Sequence, residues 1–156
     1  VRCNRCYQII KDGEILINGI TEWVIIDAST RTLRKVETTS YPNDIDWIKE
    51  KSIEDRFRRF KDDFTEDDFV YKRLIRSGDI DVTHHVNNVT YITMLLDTFS
   101  VNELESMTLK DIEISYLNES LEGETLSIYR KKADDGYYFK IMKDDGKTAV
   151  MAYILL

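Results

Sequence analysis

One helix-like stretch followed by four short strand-like runs constrains this chain more than any other feature. From Val89 to about Ser100, the apolar residues Ile92, Leu95, Leu96 and Phe99 recur at helical spacing. Strand-like runs follow at 110–118, 124–132, 137–143 and 147–155. The breaks Leu121-Glu122-Gly123, Asp134-Asp135-Gly136 and Asp144-Asp145-Gly146 each place glycine after an acid, the pattern of a tight antiparallel connection. A further run at 69–76 precedes the helix. An apolar helical stripe must be buried, and the neighbouring sheet is the surface at hand to bury it. The expected architecture is α+β, an antiparallel meander wrapped around one long helix.

That arrangement is a hot-dog fold, expected to be complete over 69–156. The upstream residues repeat part of it. Residues 3–10 and 15–27 read as strands joined through Lys11-Asp12-Gly13-Glu14, with glycine where φ is positive and Gly19 as a bulge. A turn at Ala28–Arg31 returns the chain through Thr32–Val36. Residues 1–36 thus contain hairpin strands and no helix, as the closing strands of a first, partial hot-dog half would. Between them, 37–68 changes character. Pro42 and Asn43 mark a break, and Ile45, Ile48, Ile53, Phe57 and Phe60 alternate with charges. This reads as a linker carrying short amphipathic helices.

Composition excludes several functions. The net charge of -7 opposes nucleic-acid binding, which requires a basic surface. Apolar runs such as Met151–Leu156 are too short to span a bilayer, so no membrane insertion is expected. No secretory leader opens the chain, and a cytoplasmic location is expected. Cys3 and Cys6 have C-x-x-C spacing but no second pair and no nearby histidine. On a strand they face opposite sides, so they read as reduced structural cysteines.

The polar groups gather in one place. Asp79, Asp81, Thr83, His84, His85, Asn87 and Asn88 lie within ten residues, immediately before the helix. A histidine beside a carboxylate can move protons, and a helix N-terminus offers free N–H donors to a developing oxyanion. Capping alone would also explain the asparagines.

The run Arg76-Ser77-Gly78-Asp79-Ile80-Asp81-Val82-Thr83-His84-His85-Val86-Asn87-Asn88-Val89-Thr90-Tyr91-Ile92 resembles the signature of the acyl-acyl-carrier-protein thioesterase family, Asp-x-Asp-x-Asn-x-His-Val-Asn-Asn-x-x-Tyr. Ile114-Ser115-Tyr116-Leu117-Asn118-Glu119-Ser120 resembles a second family segment, and Thr21–Asp27 with Thr30 and Arg31 resembles the end of the family's first half. The resemblance implies a double hot-dog hydrolase that cleaves fatty acyl-acyl-carrier-protein thioesters, releases free fatty acid and ends chain elongation. It implies Asp81, Thr83, His85 and Glu119 as the catalytic set, with no cofactor and no metal. The implied partner is acyl carrier protein bearing a fatty acyl chain. A homodimer is the other way to complete the partial half. Two alternatives stay open, an acyl-CoA thioesterase and a non-hydrolytic acyl-binding hot-dog protein.

Thr83 departs from the family, which has asparagine there. A threonine hydroxyl is shorter than an amide and is expected not to donate to one group and accept from another at the same reach. Asp97 stands where relatives carry Glu and reads as a solvent-facing helix position. Acyl carrier protein is acidic, so its docking site should be basic. Arg56, Arg58, Arg59 and Lys61, with Arg31, Arg34 and Lys35, are the candidates.

Overall fold

The computed structural model describes residues 2–30, 32–39, 50–54 and 56–156. The chain forms two compact units, Val1–Arg56 and Phe57–Leu156.

In the second unit, strands β4 (Phe69–Leu74), β5 (Asp111–Tyr116), β6 (Thr125–Ala133), β7 (Gly136–Lys143) and β8 (Thr148–Leu155) form one antiparallel sheet in the order β4-β6-β7-β8-β5. Alternation in the strands sends Leu126, Ile128, Phe139, Ile141, Val150, Ala152 and Ile154 into one core, each almost fully buried. Helix α1 (Asn88–Leu96) fills the same core with Tyr91, Met94 and Leu95, and Phe99 follows just beyond its end. Each large apolar side chain buried this way contributes about 1.5–3 kcal/mol. This is the expected sheet-around-helix arrangement.

Four details differ from the sequence reading. The buried stripe runs Tyr91, Met94, Leu95, Thr98, Phe99, whereas Ile92 is half-buried and Leu96 is 37% exposed. The helix also stops early, because Ser100 begins another. Its hydroxyl accepts from Glu103 N (3.2 Å) while the Glu103 carboxylate accepts from Ser100 N (2.7 Å), a reciprocal cap that opens α2 (Val101–Ser106). Next, β5 is not hairpin-linked to β6. It pairs with β8, and residues 117–124 cross between the two edge regions of the sheet. Gly123 has the positive φ its turn signal implied, but its N–H donates to Ile75 O at the end of β4 (3.0 Å).

The fourth difference is the linker. No helix forms among residues 50–54 and 56–65, and Ile45 and Ile48 lie outside the described residues. Residues 57–65 instead run extended across the outer face of the sheet. The Arg58 guanidinium stacks 4.0 Å from the Tyr153 ring and pairs with Glu113. Asp62 pairs with Lys140 (2.7 Å), Asp63 with Lys131 (3.1 Å), and Phe64 packs edge-on against Tyr129. These charges find partners on the strands, so an isolated helical turn has little to offer them.

The first unit holds β1 (Arg2–Lys11), β2 (Glu14–Ile26) and β3 (Leu33–Arg34). Asp12 and Gly13 both take positive φ, as a two-residue hairpin turn requires. The register shift falls where Ile9 faces Ile17 and Ile10 faces Ile15, which makes Leu16 the extra residue; Gly19 stays in register opposite Tyr7. β3 is shorter than the expected Thr32–Val36, because the chain coils into a 3-10 turn at Val36–Thr38. Asp27 organises the turn before β3. Bonds from the Ser29 hydroxyl and from Arg34 hold its carboxyl well below the usual carboxylate range.

Gly136 tests the packing of the second unit. A Cβ there would sit 1.9 Å from Ile154 O, so Gly136→Ala must push two central strands apart. We expect it to cost about 3 kcal/mol or more in chemical denaturation. Gly78→Ala, which meets nothing within 4 Å, should stay within about 0.5 kcal/mol of the parent protein.

Candidate active site

The loop between β4 and α1 is built on a buried carboxylate. Asp79 accepts from Arg73 Nη2 (2.6 Å) and from Arg76 N (3.0 Å), while its backbone oxygen accepts from Asn87 N (2.8 Å). Arg73 also lies 3.6 Å from Asp97, so Asp97 is an ion-pair partner as well as a solvent-facing position. An arginine pointing inward between Tyr71 and Ile75 was the available signal, because a charge on the inward side of a strand demands a partner.

Beyond Asp79 the chain makes a miniature hairpin, with Ile80 bridged to Val86. Asp81 N donates to His85 O (2.9 Å), and His84 N donates to Asp81 O (3.0 Å). His84 closes this turn at φ +64, a left-handed position usually given to glycine or asparagine. Val82 projects at the tip, 96% exposed. Asn87 then caps α1 by accepting from Val89 N (2.9 Å).

The four residues expected in the catalytic set lie in one hydrogen-bonded chain. Asp81 Oδ1 accepts from Thr83 N (2.8 Å) and from Thr83 Oγ1 (2.6 Å). Thr83 Oγ1 lies 3.3 Å from His85 Nδ1. His85 Nε2 lies 3.1 Å from Glu119 Oε2, and Glu119 comes from the crossover after β5. The Thr83 hydroxyl therefore does bridge two groups, contrary to the expectation. It can because the tight turn brings both of them to it.

Counting protons fixes the polarity of this chain. The pKa of Asp81 is lowered, chiefly by the Thr83 hydroxyl, so Asp81 is an ionised acceptor. The single Thr83 proton goes to it. Thr83 Oγ1 must then accept from His85 Nδ1–H. Nε2 is left facing the Glu119 carboxylate.

Behind Glu119, the Ser120 backbone oxygen accepts from Val86 N (2.9 Å), joining the crossover to the hairpin. The hydroxyls of Ser120 and Tyr91 are both buried, and burial raises the Tyr91 pKa, with the neighbouring Ser120 opposing that rise. Among the described residues, no three His, Cys, Asp or Glu side chains are grouped to hold a metal ion. Cys3 and Cys6 are free thiols in the other unit.

Two predictions follow from this geometry. Arg73→Met strands the Asp79 carboxylate and should cost about 2–4 kcal/mol in denaturant unfolding. Adding Asp79→Asn should recover part of that loss. For Asp81, the lowered folded pKa means that its stabilisation is complete above the unfolded-chain value. It is lost as pH falls through the lower folded value. In an NMR titration, Asp81 should titrate below the ordinary 3.8 and move back towards it in Thr83→Val.

The family model for the acyl-ACP thioesterase C-terminal domain matches residues 63–154. A chloroplastic palmitoyl-acyl carrier protein thioesterase of Cuphea hookeriana is 33% identical over 111 residues, covering 69% of this chain and 27% of that protein. A chloroplastic acyl-acyl-carrier-protein hydrolase of Cuphea viscosissima is 29% identical over 139 residues, covering 84% of this chain and 34% of that protein. The chain thus spans about a third of the length of these curated relatives. The fold is shared with an acyl-ACP thioesterase of Bacteroides thetaiotaomicron (TM-score 0.76, 20% identity, 99% of this chain and 62% of that one). It is shared too with the 12:0-ACP thioesterase of Umbellularia californica (TM-score 0.75, 19% identity, 99% and 61%). With its family signature borne on a hot-dog sheet and helix, the chain belongs to the acyl-ACP thioesterase family.

Proposed function

We propose that the intact protein hydrolyses fatty acyl thioesters carried on acyl carrier protein, releasing the free fatty acid and ending chain elongation. The observation that carries this reading is the 3.1 Å contact between His85 and Glu119, backed by Thr83 and Asp81. Glu119 is the more exposed partner and is the group that water reaches. Its carboxylate takes a proton from water as the oxygen attacks the thioester carbon. The C–S bond then breaks, and the proton passes to the departing thiolate. His85 holds Glu119 in place, while the Asp81–Thr83 pair fixes the imidazole. This is general acid–base hydrolysis.

Acyl carrier protein is the proposed carrier because the curated relatives named above act on it. Of the basic candidates for its docking, Arg34 is paired with Asp27 and Arg58 with Glu113, and Arg31 lies outside the described residues. Arg56, Arg59 and Lys61 are exposed. No helix among the described residues is long and apolar enough to cross a membrane. We read the strands at 1–36 as part of a first hot-dog half, with 69–156 as the second.

Thiol release from acyl-acyl carrier protein tests the proposal. The parent protein should turn over, and His85→Ala or Glu119→Gln should lower kcat by about 10²–10⁴. Thr83→Val, which breaks the bridge, should also lower kcat. Thr83→Asn keeps a donor and an acceptor, but on a longer side chain than these distances fit, and should lower kcat less than Thr83→Val does. Full turnover in His85→Ala would overturn the assignment. Binding of acyl carrier protein without any thiol release would favour the non-hydrolytic reading.

A further inference from the structure

We infer that Lys143 is a positioning residue for Glu119, an inference that rests on the function proposed above. Lys143 ends β7, and its side chain is 13% exposed. A nearly buried ammonium is costly unless its donors are met. Its Nζ donates to the Glu119 backbone oxygen at 2.8 Å and lies 3.0 Å from Glu124 Oε1. The other carboxylate oxygen of Glu124 accepts from Leu121 N at 3.0 Å. One ammonium thus ties together the two ends of the bend that presents Glu119.

The anchor is well chosen mechanically. β7 is the central strand of the sheet, paired on both sides. The bend belongs to a crossover whose strands lie on opposite sides of it. Lys143 grips the Glu119 peptide through its backbone oxygen, and the carboxylate swings with that peptide. The contact of Glu119 with His85 Nε2 spans 3.1 Å and tolerates little displacement before the hydrogen bond weakens. Lys143 therefore acts through the aim of Glu119.

The test uses the intact protein and acyl-acyl carrier protein. Lys143→Met keeps the aliphatic stem and removes the charge. We expect kcat to fall about 10- to 100-fold, the scale of an ångström-sized misplacement, with KM changed less than about twofold. Lys143→Arg should recover part of the loss. In the Glu119→Gln background, Lys143→Met should cost almost nothing further, because the carboxylate it aims is gone. Glu124→Gln weakens the hold on the ammonium without removing it. It should lower kcat in the same direction, and it serves if Lys143→Met loses its cooperative unfolding transition. Unchanged kcat in Lys143→Met, or in Glu124→Gln where that variant stands in, overturns the inference while leaving the site reading intact. So does a loss that simply multiplies with that of Glu119→Gln. Full turnover in Glu119→Gln alone would overturn the site reading, and the inference with it.

Discussion

The burial of one helical stripe against a five-stranded sheet is the constraint on which everything else in the second unit depends. Tyr91, Met94, Leu95 and Phe99 meet Leu126, Ile128, Phe139, Ile141 and Val150 in a single core. That packing fixes where α1 begins, and so fixes where the loop before it must end. The polar chain Asp81–Thr83–His85 is held in that loop by backbone bonds of the small hairpin and by Asp79. A polar site of this kind contributes little to stability, and its geometry is a consequence of apolar packing nearby.

The strands were legible in the sequence because acid–glycine turns and alternating apolar residues report local geometry. Partner choice was not. Gly123 reveals a positive φ, but nothing local says that the chain crosses the sheet there, so that β5 joins β8. The helix stripe was read about one residue out of place, since Leu96 and Ile92 are as apolar as Met94. Thr98 and Ser100, which end the helix, look unremarkable until the Ser100–Glu103 cap is seen. Over residues 57–65 the linker differs from its sequence reading for a related reason. Charges at helical spacing also suit an extended segment whose partners, Lys131 and Lys140, lie more than sixty residues away.

At the site, residue types pointed to acid–base chemistry, but the pairing of His85 with Glu119 was legible only through the family resemblance. The supporting residues left a fainter trace. Lys143 ends the strand-like run 137–143 with nothing local to mark it, and its burial is a product of the crossover folding over it. Arg73 carried a real signal, a charge on the inward side of β4. The bridging role of Thr83 could not be read from side-chain size. It depends on the turn, with His84 left-handed, which shortens the distances that an asparagine would otherwise span.

The crossover also determines when the site can exist. β6, β7 and β8 are linked by short turns and can pair early, whereas β4 and β5 are the two edges and must be recruited from far along the chain. His85 follows one edge and Glu119 follows the other. The pair is a clasp across a curled sheet, closed only when both edges have docked around the helix. Fraying of either edge separates the two residues while the central meander and most of the core remain folded. The site would then come apart at a lower free-energy cost than the fold does.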